Sequence, residues 1–196
     1  MTIYRIHHDN NFLIFEIATR EVLNKLGREY PFHIDRSPIA YVSVWSEPLN
    51  ISFVPMEEGK ETPTPDICDR NGRLFLSSKA YNVMHSLLAN DGEFLPVTYG
   101  DESGYIFNPL VVAEDLGILD ESNIGYDQHG NLEHFSFLEN KLGDHDTVIF
   151  RAKIDNYDGI FCTDKLKETI EKANLTGIFF QPDLANFTGD PSSLKH

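Results

Sequence analysis

Cysteine is scarce in this sequence of 196 residues, and none of it lies in a pattern with known chemistry. The two cysteines, Cys68 and Cys162, are far apart, and neither belongs to a CxxC pair or to a Cys/His cluster with metal-ligand spacing. Their number and spacing argue against a disulfide framework and against a zinc site. Because such a chain suits a reducing compartment, we expect a cytoplasmic protein.

Long apolar runs are also absent from the sequence. No segment approaches the roughly 20 apolar residues that a membrane helix requires. Residues 1–15 lack the apolar stretch and the small-residue cleavage site of a secretory signal. We therefore expect a protein that does not associate with membranes.

Positive charge is the third scarce feature. The chain has 16 Lys and Arg against 31 Asp and Glu, which gives a formal net charge of −15. Residues 80–140, called the acidic stretch below, contain 11 carboxylates and no Lys or Arg. A potential of one sign speeds encounter with an oppositely charged partner and repels phosphate backbones and anionic lipid. This pattern predicts a basic protein as the partner and argues against nucleic acid.

The acidic stretch supplies the candidate partner-binding residues. Aromatic side chains interleaved with carboxylates are typical of interfaces, since aromatic burial gives affinity and the surrounding charges give orientation and rate. Solvated loops are the alternative explanation for the acidic doublets, and composition leaves that alternative open. The candidates are Asp91, Glu93, Tyr99, Asp101, Glu102, Asp120, Glu121, Tyr126 and Asp127.

Short β-rich runs outnumber helical patterns and do not alternate with them regularly. This predicts an α+β fold with a mixed, mainly antiparallel sheet, many short strands and two main helices. The main helices are expected at residues 77–89 and 163–174, where apolar residues recur at helical spacing. A shorter helix is expected at residues 18–26, and a strand at residues 39–45.

A chain of this length buries about 70% of its unfolded surface, so we expect a single domain over residues 1–196. The proline-rich residues 55–65 are the best linker candidate. A division there would give an N-terminal subdomain at 1–60 and a main subdomain at 61–182, followed by a tail at 183–196 that is either loose or packed as an arm. The expected core residues are Leu87, Leu95, Phe107, Ile149, Phe161, Leu166 and Phe179.

An enzyme must bring catalytic groups together, and the sequence offers little sign of that. The densest group of potential metal ligands is His129, His134, Asp144, His145 and Asp146, but no helical spacing places two of them one turn apart. The sequence has no GxSxG nucleophile motif and no glycine-rich phosphate loop. We expect no metal, no cofactor and no catalytic residues. A carboxylate- or metal-dependent hydrolase remains the alternative.

Several segments from residue 65 onward carry a family resemblance through their order and spacing. They are PDI at 65–67, LFLSSKAYNVMHSLL at 74–88, FLPV at 94–97, YIFNP at 105–109, LDES at 119–122, VIFR at 148–151 and IFCTDKLKETIEKANLTGIFF at 160–180. Together they resemble a family of bacterial immunity proteins from polymorphic toxin systems, long catalogued as a domain of unknown function and named after a myxobacterial member. Residues 1–60 and those after 182 show no visible match.

The resemblance implies a cytoplasmic, non-enzymatic antidote that binds a cognate toxin or effector domain and blocks its active site. Many such toxins are nucleases with cationic clefts, which an acidic surface would fit. A regulatory interaction module of another assembly is a further alternative, since it shares the acidic surface but needs no toxin. The three alternatives remain open on the sequence alone.

Overall fold

The protein has an α+β fold, as predicted. The computed structural model describes residues 1–57 and 61–189. Within these residues the helices are α1 (Thr19–Lys25), α2 (Ser78–Leu88), α3 (Glu139–Leu142) and α4 (Asp164–Lys172). The strands are β1 (Ile3–His8), β2 (Ile14–Glu16), β3 (Leu49–Asn50), β4 (Ser52–Val54), β5 (Ile67–Arg70), β6 (Arg73–Ser77), β7 (Gly92–Tyr99), β8 (Glu102–Pro109), β9 (Gly125–Tyr126), β10 (Leu132–His134), β11 (Ile149–Phe150), β12 (Ile160–Thr163) and β13 (Ile178–Gln181).

Two sheets form the framework, and both are mainly antiparallel. The larger sheet has the strand order β3-β7-β8-β6-β5, in which only the β3–β7 pair is parallel. The second sheet has the order β11-β12-β1-β13 and is antiparallel throughout. The sequence analysis missed the β5–β6 hairpin. Its turn, Asn71 and Gly72, has φ values of 54° and 69°, and an Asn-Gly pair between β-rich runs is a strong hairpin signal.

The two main helices occur where the periodicity predicts them. Helix α2 begins after Ser77, whose hydroxyl accepts the Ala80 amide at 3.2 Å and caps the first turn. Its buried face packs in one core cluster with the buried face of α4, which includes Leu166 and Ile170. Strands of both sheets contribute to the same cluster, so the helices lie against both sheets and join them into one core.

Most of the predicted core residues are buried. Leu95, Phe107, Ile149, Phe161 and Leu166 are fully buried, while two others, at positions 87 and 179, are partly buried. The described residues form three hydrophobic clusters, one between the sheets, one under the first sixty residues and one beneath the acidic stretch.

The first sixty residues share their sheets and core with the rest of the chain. Strand β1 lies between β12 and β13 in the second sheet. Phe15, Val22 and Phe32 pack in one cluster with Phe75 and Leu95 of the larger sheet. These contacts count against a separate N-terminal subdomain, although the division at residues 55–65 stays a prediction. The last seven residues of the predicted tail lie outside the described residues.

The predicted strand at residues 39–45 is wrong. Residues 42–44 form a turn instead, in which the amides of Val44 and Trp45 both donate to the Tyr41 carbonyl. This turn brings Tyr41 and Trp45 to the same side, where both are buried. The burial of both rings and the hydrogen bonds from the amides of Tyr41 and Val42 to the distant Glu93 together outweigh the local strand pattern.

Candidate functional site

Asp91, the first of the predicted partner-binding residues, is not on the surface. Its side chain is 1% exposed, and one oxygen accepts the amides of Val148 and Ile149 at 2.8 and 3.1 Å. Burial raises the pKa of this carboxyl, while the two amide donors act in the opposite direction. Asp91 therefore connects the end of α2 to β11. It is corrected to a structural residue, because a buried side chain offers nothing to a partner.

Glu93 also has a structural role. Its two oxygens accept the amides of Tyr41 and Val42 at 2.7 and 2.9 Å, and Oε1 also accepts the Asn108 amide at 2.7 Å. A carboxylate that receives several N–H donors is held in place and is well satisfied. The function of Glu93 in this structure is to fix the backbone of a loop from the first sixty residues.

Asp101 and Glu102 lie at the exposed turn of the β7–β8 hairpin. Next to them, Tyr99 is only partly exposed, because its ring packs against Phe53 and Phe75 at 5.3 Å. Eight residues of β7 rising about 3.3 Å each place this turn about 25 Å from the Asp91 end of the hairpin. The two carboxylates are therefore available to a partner, at a place remote from Asp91.

Four further candidates lie between Ile118 and β10. Asp120 accepts the Ser122 amide at 3.1 Å and caps a single 3-10 turn, and its hydrogen bond with the Ser122 hydroxyl lowers its pKa. Asp127 accepts the amides of residues 129 and 131, and its hydrogen bonds to Asn131 lower its pKa. Glu121 is exposed, and Tyr126 is 59% exposed.

The acidic stretch thus contains two kinds of carboxylate. Asp91, Glu93, Asp120 and Asp127 accept backbone amides, and Glu114 does the same for the amides of residues 153 and 154. The others are exposed. They are Asp101, Glu102, Asp115, Glu121, Glu133 and Glu139. This second group, together with the partly exposed Asp120 and Asp127, can form the predicted anionic surface.

Residues 31–45, called the latched loop below, form an irregular segment that packs on the larger sheet. The loop contains no helix or strand, and its inner face is a cluster of three buried aromatic rings. Phe32 contacts Tyr41 and Trp45 edge-to-face, with ring centroids 4.8 and 4.9 Å apart. The Trp45 indole also donates to the Pro96 carbonyl at 2.9 Å. Edge-to-face pairs of this kind stabilise a packed cluster beyond the area that they bury.

Two buried arginines and one asparagine attach the latched loop to both sheets. Arg73 and Asn108 lie in β6 and β8 of the larger sheet, and Arg151 directly follows β11 of the second sheet. Arg73 donates to the Phe32 carbonyl at 3.0 Å, and Arg151 donates to the Arg36 carbonyl at 2.8 Å. Between them, Asn108 Oδ1 accepts from Arg73 Nε at 3.2 Å and from Arg151 Nη2 at 2.9 Å. The Asn108 amide group donates in turn to the Ile39 carbonyl at 2.9 Å. All three side chains are at most 2% exposed.

Both arginines of this network are buried, and burial lowers the pKa of each. Burial lowers the pKa of Arg73 to about 10 and the pKa of Arg151 to about 9, and the two guanidinium groups repel each other. Arg73 also lies over the Phe32 ring, with 4.0 Å between Cζ and the ring centroid, which gives a cation–π contact. Both arginines direct donors at loop carbonyls, so their burial serves to hold the loop. Sequence analysis missed them, because an isolated arginine carries no signal of burial.

A cavity of about 460 Å³ opens beside the latched loop, between strand β2 and the β5–β6 turn. Phe32, His33 and Ile34 of the loop line one side, and Arg70 lines the other. Arg70 donates to the Phe15 carbonyl at 2.9 Å and pairs with Glu16 at 3.1 Å. The cavity therefore presents a mixed polar and apolar wall next to the loop.

A second buried ionic cluster lies beside β1. Arg5 donates to Asp155 at 3.0 Å and approaches Asp158 at 3.6 Å, and it also binds the Leu184 carbonyl. Gly159 sits so close that an added Cβ would lie 2.6 Å from the Arg5 guanidinium carbon. These contacts attach the C-terminal residues to the second sheet, which is a structural function.

The alternative metal site at residues 129–146 does not form in the described part of the chain. No three His, Cys, Asp or Glu side chains of residues 1–57 and 61–189 lie close enough together to hold a metal ion. His129 lies in the turn capped by Asp127, while His134 packs against Gly125 of the neighbouring strand. Both cysteines are buried, and burial raises the pKa of each thiol, that of Cys68 to about 12. Within the same residues no helix is both long and apolar enough to span a bilayer.

A comparison of the chain with models of known protein families shows which family it belongs to. The model of the Immunity protein family (Imm11) matches residues 14–183, which is most of the chain. The chain belongs to this immunity protein family. The match confirms the predicted resemblance and extends it, since it covers the latched loop and most of the first sixty residues, where sequence analysis saw no match. No curated protein matches the chain. Family membership favours an immunity function and a non-enzymatic role.

Proposed function

We propose that this protein neutralises a cognate bacterial toxin or effector by binding its catalytic domain and covering the active site. The observation that carries the proposal is the family match across residues 14–183. We further propose that the protein is cytoplasmic and that its partner presents a basic surface. The protein itself binds neither nucleic acid nor membranes in this proposal. The net charge of −15 supports this choice of partner.

The exposed carboxylates support an electrostatic part in the encounter. Asp101, Glu102 and Glu121 are exposed, and Tyr126 presents an aromatic ring from the same acidic stretch. Exposed charges act over about a Debye length of 8–10 Å, and they change the rate of association more than the lifetime of the complex. In the proposed complex these residues guide a cationic cleft toward the protein.

The direct test is coexpression with the product of the neighbouring gene in a bacterial host. We expect the two proteins to copurify as a one-to-one complex with a dissociation constant in the nanomolar to micromolar range, and we expect the antidote to relieve growth arrest. If the pair neither copurifies nor restores growth, the proposed function is wrong.

Charge reversal tests the electrostatic part separately. The triple variant Asp101→Lys, Glu102→Lys, Glu121→Lys should associate about tenfold to a hundredfold more slowly at low salt and show a weaker salt dependence. The exposed residues Glu61, Asp144 and Asp146 provide a matched control, since their reversal changes the net charge equally. Equal association rates for the two triple variants would show that net charge matters and that the acidic stretch does not.

A further inference from the structure

The outer face of the latched loop carries aliphatic side chains that the fold leaves uncovered. Ile34 is 68% exposed, Ile39 is 42% exposed and Val42 is 65% exposed. Three large branched apolar residues exposed within nine positions are unlike scattered surface residues, which need no explanation. A concentration of this kind marks a binding surface in a soluble protein.

Contacts with the larger sheet hold Ile39 and Val42 in fixed positions. The Ile39 carbonyl accepts from Asn108 at 2.9 Å, and the Val42 amide donates to Glu93 at 2.9 Å. Asn108 and Glu93 face each other on neighbouring strands and are themselves bonded at 2.7 Å. A single pair of side chains thus fixes both Ile39 and Val42 to the rigid hairpin. A surface that is ordered before binding loses little conformational entropy when a partner arrives.

Buried polar side chains outside the loop hold it in one conformation. Arg73 and Arg151 are 2% and 0% exposed, and both direct guanidinium donors at carbonyls of the loop. Burying two cations carries a desolvation cost that ordinary packing residues avoid. Irregular loops of more than about 12–15 residues in a compact domain are usually functional. Together these features indicate a recognition loop on a rigid scaffold.

The charges near the loop indicate the chemistry of its partner. Residues 26–59 contain no lysine and only two arginines, against five carboxylates. One of the arginines, Arg36, is already paired with Asp158 at 2.7 Å. The exposed residues Glu29 and Glu47 lie on either side of the loop. An apolar patch flanked by carboxylates fits a protein surface that has an apolar recess with a basic rim.

We propose that Ile39 and Val42 form the apolar centre of the interface with the cognate effector, with Ile34 and the adjacent cavity at its edge. This inference rests on the proposed function and deepens it by naming the contact surface. In this arrangement the exposed carboxylates govern how fast the complex forms. Burial of the two aliphatic side chains governs how long it lasts, because truncating buried anchors mainly raises the dissociation rate.

The test uses the full chain and the effector domain encoded by the neighbouring gene. The variants Ile39→Ser and Val42→Ser each remove an apolar contact and leave the backbone bonds to Asn108 and Glu93 in place. Each should weaken binding about tenfold to a hundredfold, mainly through the dissociation rate measured by surface plasmon resonance. The control variant Val83→Ser makes the same kind of change on the exposed side of α2, where Val83 is 38% exposed, and should bind like the wild type.

The possible outcomes separate this inference from the proposed function. If both serine variants bind the effector domain as tightly as the wild type does, the inference is overturned and the immunity function still stands. If the wild type itself does not bind the effector domain, the proposed function fails and the inference fails with it. Sedimentation velocity of the wild type and the Ile39→Ser, Val42→Ser double variant completes the test. Self-association that the double variant abolishes would assign the patch to a second copy of this chain and would also overturn the inference. Unchanged thermal melts for the serine variants verify that they fold.

Discussion

Replacing Asn108 with alanine is the sharpest test of how the latched loop is held. The Asn108 side chain satisfies Arg73 Nε at 3.2 Å and the Ile39 carbonyl at 2.9 Å, and both lose their partner in the variant. Arg151 Nη2 loses one acceptor but keeps the Pro109 carbonyl. Each buried polar group left without a partner costs about 1–3 kcal/mol. Arg73 Nε is such a group, whereas the Ile39 carbonyl is only part-buried and can be solvated. The expected loss is therefore about 1–3 kcal/mol in the free energy of unfolding, a sizeable part of the 5–15 kcal/mol typical of a domain.

The assay for this variant is urea unfolding followed by tryptophan fluorescence. Trp45 is the only tryptophan in the chain, lies in the latched loop and is 8% exposed, so its emission reports directly on the loop. Asn123→Ala serves as the control, because Asn123 is exposed and donates to the Ser136 hydroxyl at 2.8 Å, and loss of this bond should cost less than about 1 kcal/mol. An Asn108→Ala protein as stable as the control would refute the account of the network.

Two further predictions concern the second sheet. His7 is 8% exposed and stacks on Phe179 at 5.4 Å, and burial followed by the nearby Arg5 lowers its pKa to about 4 from 6.5. Because the unfolded chain takes up the proton first, His7 should cost the protein up to about 1.4 kcal/mol of stability per pH unit as the pH falls from 6.5 toward 4. Parallel stability curves for wild type and His7→Gln between about pH 7 and about pH 4 would contradict this. Phe161→Ala should lose about 3–5 kcal/mol by urea unfolding, because the fully buried ring packs against three other phenylalanine rings and Arg5. A loss below about 1 kcal/mol would mean that the core cluster beneath the acidic stretch repacks around the missing ring.

The parts of the fold that follow local rules could be predicted from the sequence. Helix α2 could be predicted because Ala80, Met84 and Leu88 recur at helical spacing after a capping serine. The β5–β6 hairpin also follows a local rule, because the Asn71-Gly72 pair is a strong signal for a hairpin turn. These elements depend on residues close together in the chain.

The latched loop could not be predicted because distant residues determine its conformation. Its carbonyls and amides bind Arg73, Glu93, Asn108 and Arg151, which lie between about 40 and 115 positions further along the chain. Local pattern favoured a strand at residues 39–45, and long-range hydrogen bonds decided for a turn. Tertiary contacts of this kind override local propensity.

The candidate site could be predicted from the sequence only in part, for a related reason. A count of carboxylates does not separate those that cap backbone amides from those that face water. Asp91 and Glu93 look the same in the sequence as Asp101 and Glu102, yet the first pair is engaged by backbone amides and the second pair is exposed. Sequence analysis missed the apolar patch at Ile39 and Val42, because these residues belong to a β-rich run that by itself predicts a strand.

Growth rescue tests the central claim most directly. A bacterial strain expressing the effector from the neighbouring gene would receive the wild-type protein, the Ile39→Ser, Val42→Ser variant or the Val83→Ser control at equal levels. The account predicts that the wild type and the control restore growth and that the double variant does not. Growth arrest that persists with the wild-type protein would contradict the account.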